Sequence, residues 1–115
     1  MNWDDFAKWG GRISNWAADY HKTIRDLPVR AQTKPGEIAA SLPDTPPESG
    51  EAMEAIMADF ETKVMPGITH WQHPRFFAYF PSNAAPPSML AEFLVTSIAP
   101  QCMLWQTSPA ATEME

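Results

Sequence analysis

Across residues 64–112 this sequence carries two charged side chains, Arg75 and Glu92. The same stretch holds seven aromatic residues, Trp71, Phe76, Phe77, Tyr79, Phe80, Phe93 and Trp105, among many aliphatic ones. A free-standing small domain keeps a charged, mixed outer surface. A long stretch almost without charge is expected to be covered on several sides. All but two of the other charges crowd into residues 1–63, seven basic and eleven acidic. The chain therefore reads as a piece of something larger.

A length of 115 residues is one domain or part of one. The net charge of -6 argues against a nucleic-acid binder, which usually shows a basic stripe. A single cysteine, Cys102, allows no disulfide within the chain, so a reducing compartment is expected. The opening MNWDDF is acidic and aromatic, unlike the basic and apolar regions of a signal peptide. No apolar run approaches the roughly 20 residues that span a bilayer. A soluble, cytoplasmic protein is the expectation.

Periodicity predicts a mostly α fold, with three main helices joined by proline-rich extended segments. The first helix should run over residues 4–24, with Asn2 as N-cap and Asp4 and Asp5 at the positive end of its dipole. Phe6, Trp9, Ile13, Trp16, Tyr20 and Ile24 recur every three or four residues and form one apolar stripe. Residues 27–50 hold five prolines and should form an extended strap without regular structure. A second helix is expected over residues 48–65, with Met53, Ile56, Met57, Phe60 and Val64 inward and Pro66-Gly67 as its stop. A third should start near Pro87-Ser88, stop at Ala99-Pro100, and be covered on several faces, since only Glu92 in it is charged. Ser108-Pro109 then caps a last helix that has one turn before residue 115. One turn is not stable alone, so either the tail frays or a longer protein continues there.

Few residues suggest chemistry on their own. His70 and His73, with Glu61 nearby in sequence, are zinc-ligand types. They lie on no predicted helix and lack a third ligand at a recognisable spacing, so hydrogen-bonded structural histidines are the better reading. His21 suits the negative end of the first helix. Cys102 has no local basic neighbour, and a buried, inert thiol is expected. Lys8, Lys22, Lys34 and Lys63 all read as solvated surface lysines rather than the desolvated kind that attacks carbonyls. The segment PGITHWQHPRFFAYFPS stands apart, with one tryptophan, three phenylalanines and a tyrosine set among prolines. It is either a hydrophobic plug in a core or the wall of an aromatic-lined pocket.

That segment, read from Met65 as MPGITHWQHPRFFAYFPS, resembles the signature of the pyridoxal-phosphate (PLP) dependent group II decarboxylases. The similarity continues through PPSMLAEFL and through the WQTSPAATEME end. It also reaches back, less specifically, over the first helix and the proline connector. Aromatic amino acid decarboxylases are the closest group. The resemblance implies the amino-terminal flap of a fold-type I PLP-dependent carboxy-lyase, with residues 1–85 as helical flap and pocket-lining loop and residues 86–115 as the start of the large PLP-binding domain. In that family the first helices lie on the partner subunit of an obligate dimer. The histidine, aspartate and lysine that hold PLP would lie beyond residue 115, so no bound cofactor, no catalytic residue and no activity are expected for this segment alone.

The resemblance carries over part of a substrate pocket. Trp71, Tyr79, Phe80, Pro81 and Ser82 would line the substrate side, with the Ser82 hydroxyl in place of a frequent threonine that contacts the substrate carboxylate. Gln101 and Met103 would reach into the neighbouring subunit's site, where the family usually has an aliphatic and an aromatic residue. Gln101 departs from that pattern and leaves the substrate side chain open. The exposed stripe of the first helix predicts a homo-dimer or higher oligomer, with Trp9, Ile13 and Trp16 at its centre. A second reading is a non-catalytic helical module, derived from this family, that self-associates or binds a partner.

Overall fold

A computed structural model describes residues 1–80 and 83–114. Among these residues there are helices and turns and no strand. The chain divides into two units, Met1–Pro81 and Ser82–Glu115.

The first unit begins with α1, Trp3–Thr23. Asn2 is extended, and its Oδ1 accepts the Asp5 N–H at 2.7 Å, which satisfies one of the unpaired donors of the first turn. The helix ends one residue before the periodicity predicts, where Ile24–Asp26 tightens into a 3₁₀ turn closed by Leu27 N–H on the Ile24 carbonyl at 3.1 Å. The stripe is real but unevenly covered. Trp9 and Ile24 are buried, Trp16 and Tyr20 are half-buried, and Phe6 and Ile13 remain exposed. The Arg12 guanidinium lies 4.0 Å above the Trp9 ring and reaches Glu54 at 3.8 Å. Trp9 is thus covered within its own chain and is no longer available as the centre of an interface.

The connector lies along the unit as expected, but it is not devoid of regular structure. Between Pro35 and Pro43 the chain makes a short helix α2, Glu37–Ser41. Gly36 opens it in the left-handed region at φ 90, and the Glu37 carboxylate accepts the Lys34 N–H at 2.9 Å. The stretch free of proline is just long enough for one helical turn. Ahead of it the strap is pinned by two bonds, His70 N–H to the Val29 carbonyl at 2.9 Å and Ala31 N–H to Thr69 Oγ1 at 3.2 Å.

The second predicted helix is shorter than its pattern. Regular α-helix α3 covers Met53–Asp59, followed by a widened π turn Phe60–Val64 and a 3₁₀ turn Met65–Gly67. Ala52 is extended and offers no side-chain cap, so residues 48–51 do not join the helix. The widening falls just ahead of Pro66, whose ring would collide with the Thr62 carbonyl in a regular α-helix. Gly67 then permits a close approach: a Cβ there would stand 2.9 Å from Ile38 Cδ1. Trp16 stacks on Tyr20 within α1 at 5.5 Å and meets Phe60 edge-on at 5.1 Å, and the second contact fastens α1 to the π turn.

The second unit holds α4, Pro86–Ile98, and α5, Pro109–Met114. Pro86 and Pro87 occupy the first turn, where missing N–H groups cost nothing. Ala99 ends α4 in the left-handed region at φ 48 and donates its N–H to the Val95 carbonyl at 2.8 Å. The covering expected for this helix is not supplied: none of its residues is buried, and Leu90, Leu94 and Ile98 are each more than half exposed. Ser108 caps α5, accepting the Ala111 N–H on Oγ at 3.4 Å and the Thr112 N–H on its carbonyl at 3.1 Å. Trp105 donates its indole N–H to Glu113 at 2.8 Å, which ties the loop before α5 to the helix. No helix of the described residues is long and apolar enough to cross a membrane.

Candidate functional site

The aromatic segment after Gly67 is built on two buried histidines. His70 Nδ1 stands 2.8 Å from the Tyr20 hydroxyl, joining residues 50 apart in sequence. The phenol is the better donor and a neutral imidazole nitrogen the better acceptor, so Tyr20 donates and the ring proton sits on Nε2. Burial, and secondarily the charge of His73 when protonated, push the His70 pKa below its usual value; burial pushes the Tyr20 pKa up. Both shifts favour the neutral pair. His73 donates its backbone N–H to the His70 carbonyl at 3.0 Å. Its Nδ1 accepts the Arg75 N–H at 2.9 Å, which leaves the ring proton on Nε2, facing the Arg25 carbonyl at 3.4 Å. Both histidines are hydrogen-bonded within the fold, and among the described residues no group of three metal-donor side chains forms.

Trp71 leaves the fold between these two anchors. Its indole stacks on Phe76 at 4.9 Å and on Tyr79 at 5.6 Å, with ring planes within 28° and 15° of parallel. Tyr79 has φ 56, in the left-handed region that bulky residues rarely enter. Of the residues carried over by resemblance, the structure brings Trp71 and Tyr79 together. Phe80 is fully exposed and stands outside the stack, as does Phe77. Pro81 and Ser82 lie outside the described residues. Gln101 and Met103 are exposed in the second unit, in the segment between α4 and α5. Cys102 beside them is exposed rather than buried, because nothing in its unit covers that segment.

Three contacts escaped sequence reasoning. Tyr20 belongs to the apolar stripe, yet a tyrosine at a stripe's end carries a hydroxyl that needs a polar partner when it is covered. Phe76 was grouped with its neighbours, and no spacing rule picks it out as the ring that meets Trp71. Arg12 lies over Trp9, and no local sequence signal marks that contact.

The family model described as the pyridoxal-dependent decarboxylase conserved domain matches residues 35–115. The chain belongs to that family. Phenylacetaldehyde synthase from Arabidopsis thaliana is 41% identical over 115 residues, which are all of this chain and 24% of that protein. Tyrosine decarboxylase 4 from Petroselinum crispum is 42% identical over 112 residues, 97% of this chain and 22% of that protein. The crystal structure of Oryza sativa TDC with PLP and tryptamine superposes with a TM-score of 0.94 at 33% identity, covering all of this chain and 24% of the other. The chain thus spans about a quarter of the length of these relatives and matches the amino-terminal region of a PLP-dependent decarboxylase.

Membership raises the question of where PLP would be held. The cofactor aldehyde needs a desolvated lysine, and its phosphate needs converging donors. Lys22 pairs with Asp19 at 3.0 Å and Lys63 with Asp59 at 2.6 Å, while Lys8 and Lys34 are exposed. None of the four fits the anchoring role. The segment does present an aromatic surface, Trp71 with Phe76 and Tyr79, beside two buried, hydrogen-bonded histidines.

Proposed function

We propose that this chain is the amino-terminal segment of a PLP-dependent decarboxylase of aromatic L-amino acids, that it supplies part of the substrate pocket and of the dimer contacts, and that it is not catalytic alone. The single observation that carries the reading is the stack of Trp71 and Tyr79, open to one side and held on a rigid base, in a chain of this family. Trp71, Tyr79 and Phe80, with Pro81 and Ser82, form the wall against which an aromatic side chain rests. The Ser82 hydroxyl donates to the substrate carboxylate. Gln101 and Met103 serve the site of the neighbouring subunit. PLP, when bound by the rest of the enzyme, supplies the electron sink for the pair released with carbon dioxide. The wall keeps water out and fixes the substrate's orientation. The names of the relatives, which act on tyrosine or yield phenylacetaldehyde, support an aromatic substrate. Residues 1–85 are the flap and residues 86–115 the opening of the large domain.

The exposed apolar face of α4 supports a homo-dimer through the helices. The same face fits the second reading, a non-catalytic helical module that self-associates. Kinetics separate the two. In the PLP-loaded enzyme that carries this segment, Trp71→Ala and Tyr79→Ala should each raise KM for aromatic amino acids about tenfold or more, the cost of a lost well-packed aromatic contact. Unchanged kinetics in both variants, with helix content intact, would remove the pocket reading.

A further inference from the structure

Tyr79 is one of two non-glycine residues with positive φ among the described residues, and the other, Ala99, has a helix end to explain it. A tyrosine in that region is held there only where its surroundings over-determine it. Tyr79 is 82% exposed, so general packing does not hold it. Its ring lies against Trp71, stacked within 15° of parallel. Trp71 is itself 45% exposed, and a tryptophan on a loop has free rotamers unless something stops it. The ring that stops it is Phe76, half-buried and stacked on the indole at 4.9 Å. Phe76 is fixed in turn by its backbone, since its N–H donates to the His73 carbonyl at 2.9 Å. His73 is buried and held at both ring nitrogens.

We propose that Phe76 is a positioning residue: its ring fixes the Trp71 indole, and the indole holds Tyr79 in its left-handed backbone and so aims the pocket wall. This rests on the reading of Trp71 and Tyr79 as substrate-facing. Phe76 touches no reacting atom in this account. It transmits the rigidity of the His73 turn, one ring at a time, to the part of the loop where substrate rests. Phe77, its neighbour, is 91% exposed and takes no part.

The test is made first on the 115-residue chain, by NMR. A left-handed φ brings the amide and α protons of one residue unusually close, so Tyr79 should give a strong intraresidue amide-to-α cross-peak. Phe76→Leu should lose that intensity and weaken the near-ultraviolet signal of the stack. Phe76→Tyr, which keeps a ring of the same shape, should restore both, and Phe77→Leu should change neither. Unshifted ring resonances of His70 and His73 show that the pinned base survives. Should Phe76→Leu loosen that base, Trp71→Leu asks the same question with Phe76 and its backbone bond in place, and Tyr79 should again be released. In the PLP-loaded enzyme, Phe76→Leu should raise KM for aromatic amino acids several-fold, with kcat less affected, and Phe76→Tyr should recover it. A Tyr79 cross-peak unchanged in both Phe76→Leu and Trp71→Leu overturns the proposal, whatever the kinetics. A released Tyr79 with an unchanged KM upholds the positioning role and overturns the pocket reading instead.

Discussion

Helix α1 carries five of the six large apolar residues of one stripe and buries Trp9, with Ile24, the sixth, buried in the turn that follows; helix α4 is more apolar along its whole length and buries nothing. The stripe of α1 meets shapes that fit it, Phe60 at Trp16 and His70 at Tyr20. Nothing comparable reaches Leu90, Leu94 or Ile98, which are 62%, 60% and 73% exposed. Apolar composition therefore measures the need for a partner, and burial measures whether one is present. Covering one large side chain is worth roughly 1.5–3 kcal/mol. In α1 part of that gain is realised within the chain, and in α4 the apolar side chains stay exposed.

The sharpest break of this comparison is a pair of truncations. Trp9→Ala should destabilise the first unit by about 3–5 kcal/mol, a buried aromatic leaving a cavity. Leu90→Ala in a dilute, monomeric sample should stay within about 0.5 kcal/mol, as exposed positions do. Urea midpoints read both. If a second copy covers α4, the Leu90→Ala cost should grow with protein concentration, while the Trp9→Ala cost should not. A large, concentration-independent cost at Leu90 would mean that α4 is already packed.

Next in size is the polar link between α1 and the aromatic segment. Tyr20→Phe leaves His70 Nδ1 buried without its donor and should cost about 1–3 kcal/mol. The same histidine gives a pH dependence whose sign follows from its lowered pKa. The unfolded chain takes up the proton near pH 6.5 and the folded chain only at lower pH, so the unfolded state binds more protons in between. Stability should be full above about pH 6.5 and fall as pH drops through the window down to the folded value. His70→Gln, which keeps a polar ring-sized group without the titration, should flatten that part of the curve. Thermal unfolding followed across that window checks it, and a stability that rises on acidification would contradict the burial argument. Smallest is the cap: Asn2→Ala should cost about 1 kcal/mol, seen as fraying of the first turn of α1 in amide exchange.

Much of the fold could be read from local pattern. Asn2, Ser108 and the paired prolines at 86 and 87 mark helix starts by rules that need only neighbours in sequence. The end of the second helix was harder. Its apolar pattern continues through Val64, but Pro66 acts backwards on the turn before it, and the π widening is a compromise between the two. α2 was hidden because five prolines dominate the connector, although Gly36 and Glu37 carry the turn chemistry. Of the site, the aromatic segment was legible as a cluster. Its internal arrangement was not, because Tyr20 and His70 meet across 50 residues and ring stacking leaves no period to read. Trp9 and Trp16 show the converse limit: an apolar stripe announces that a helix packs, and not whether its partner is in the same chain.

The proposed dimer requires that the apolar surface left open by one chain is covered by a second. Light scattering at micromolar concentration tests it most directly. The expected mass is twice the 12.9 kDa of the chain, reduced to a single folded copy by Leu90→Asp, since an unpaired charge is not tolerated in an apolar contact. A wild-type mass of 12.9 kDa at that concentration, with the near-ultraviolet signals of the tryptophans intact, would contradict it.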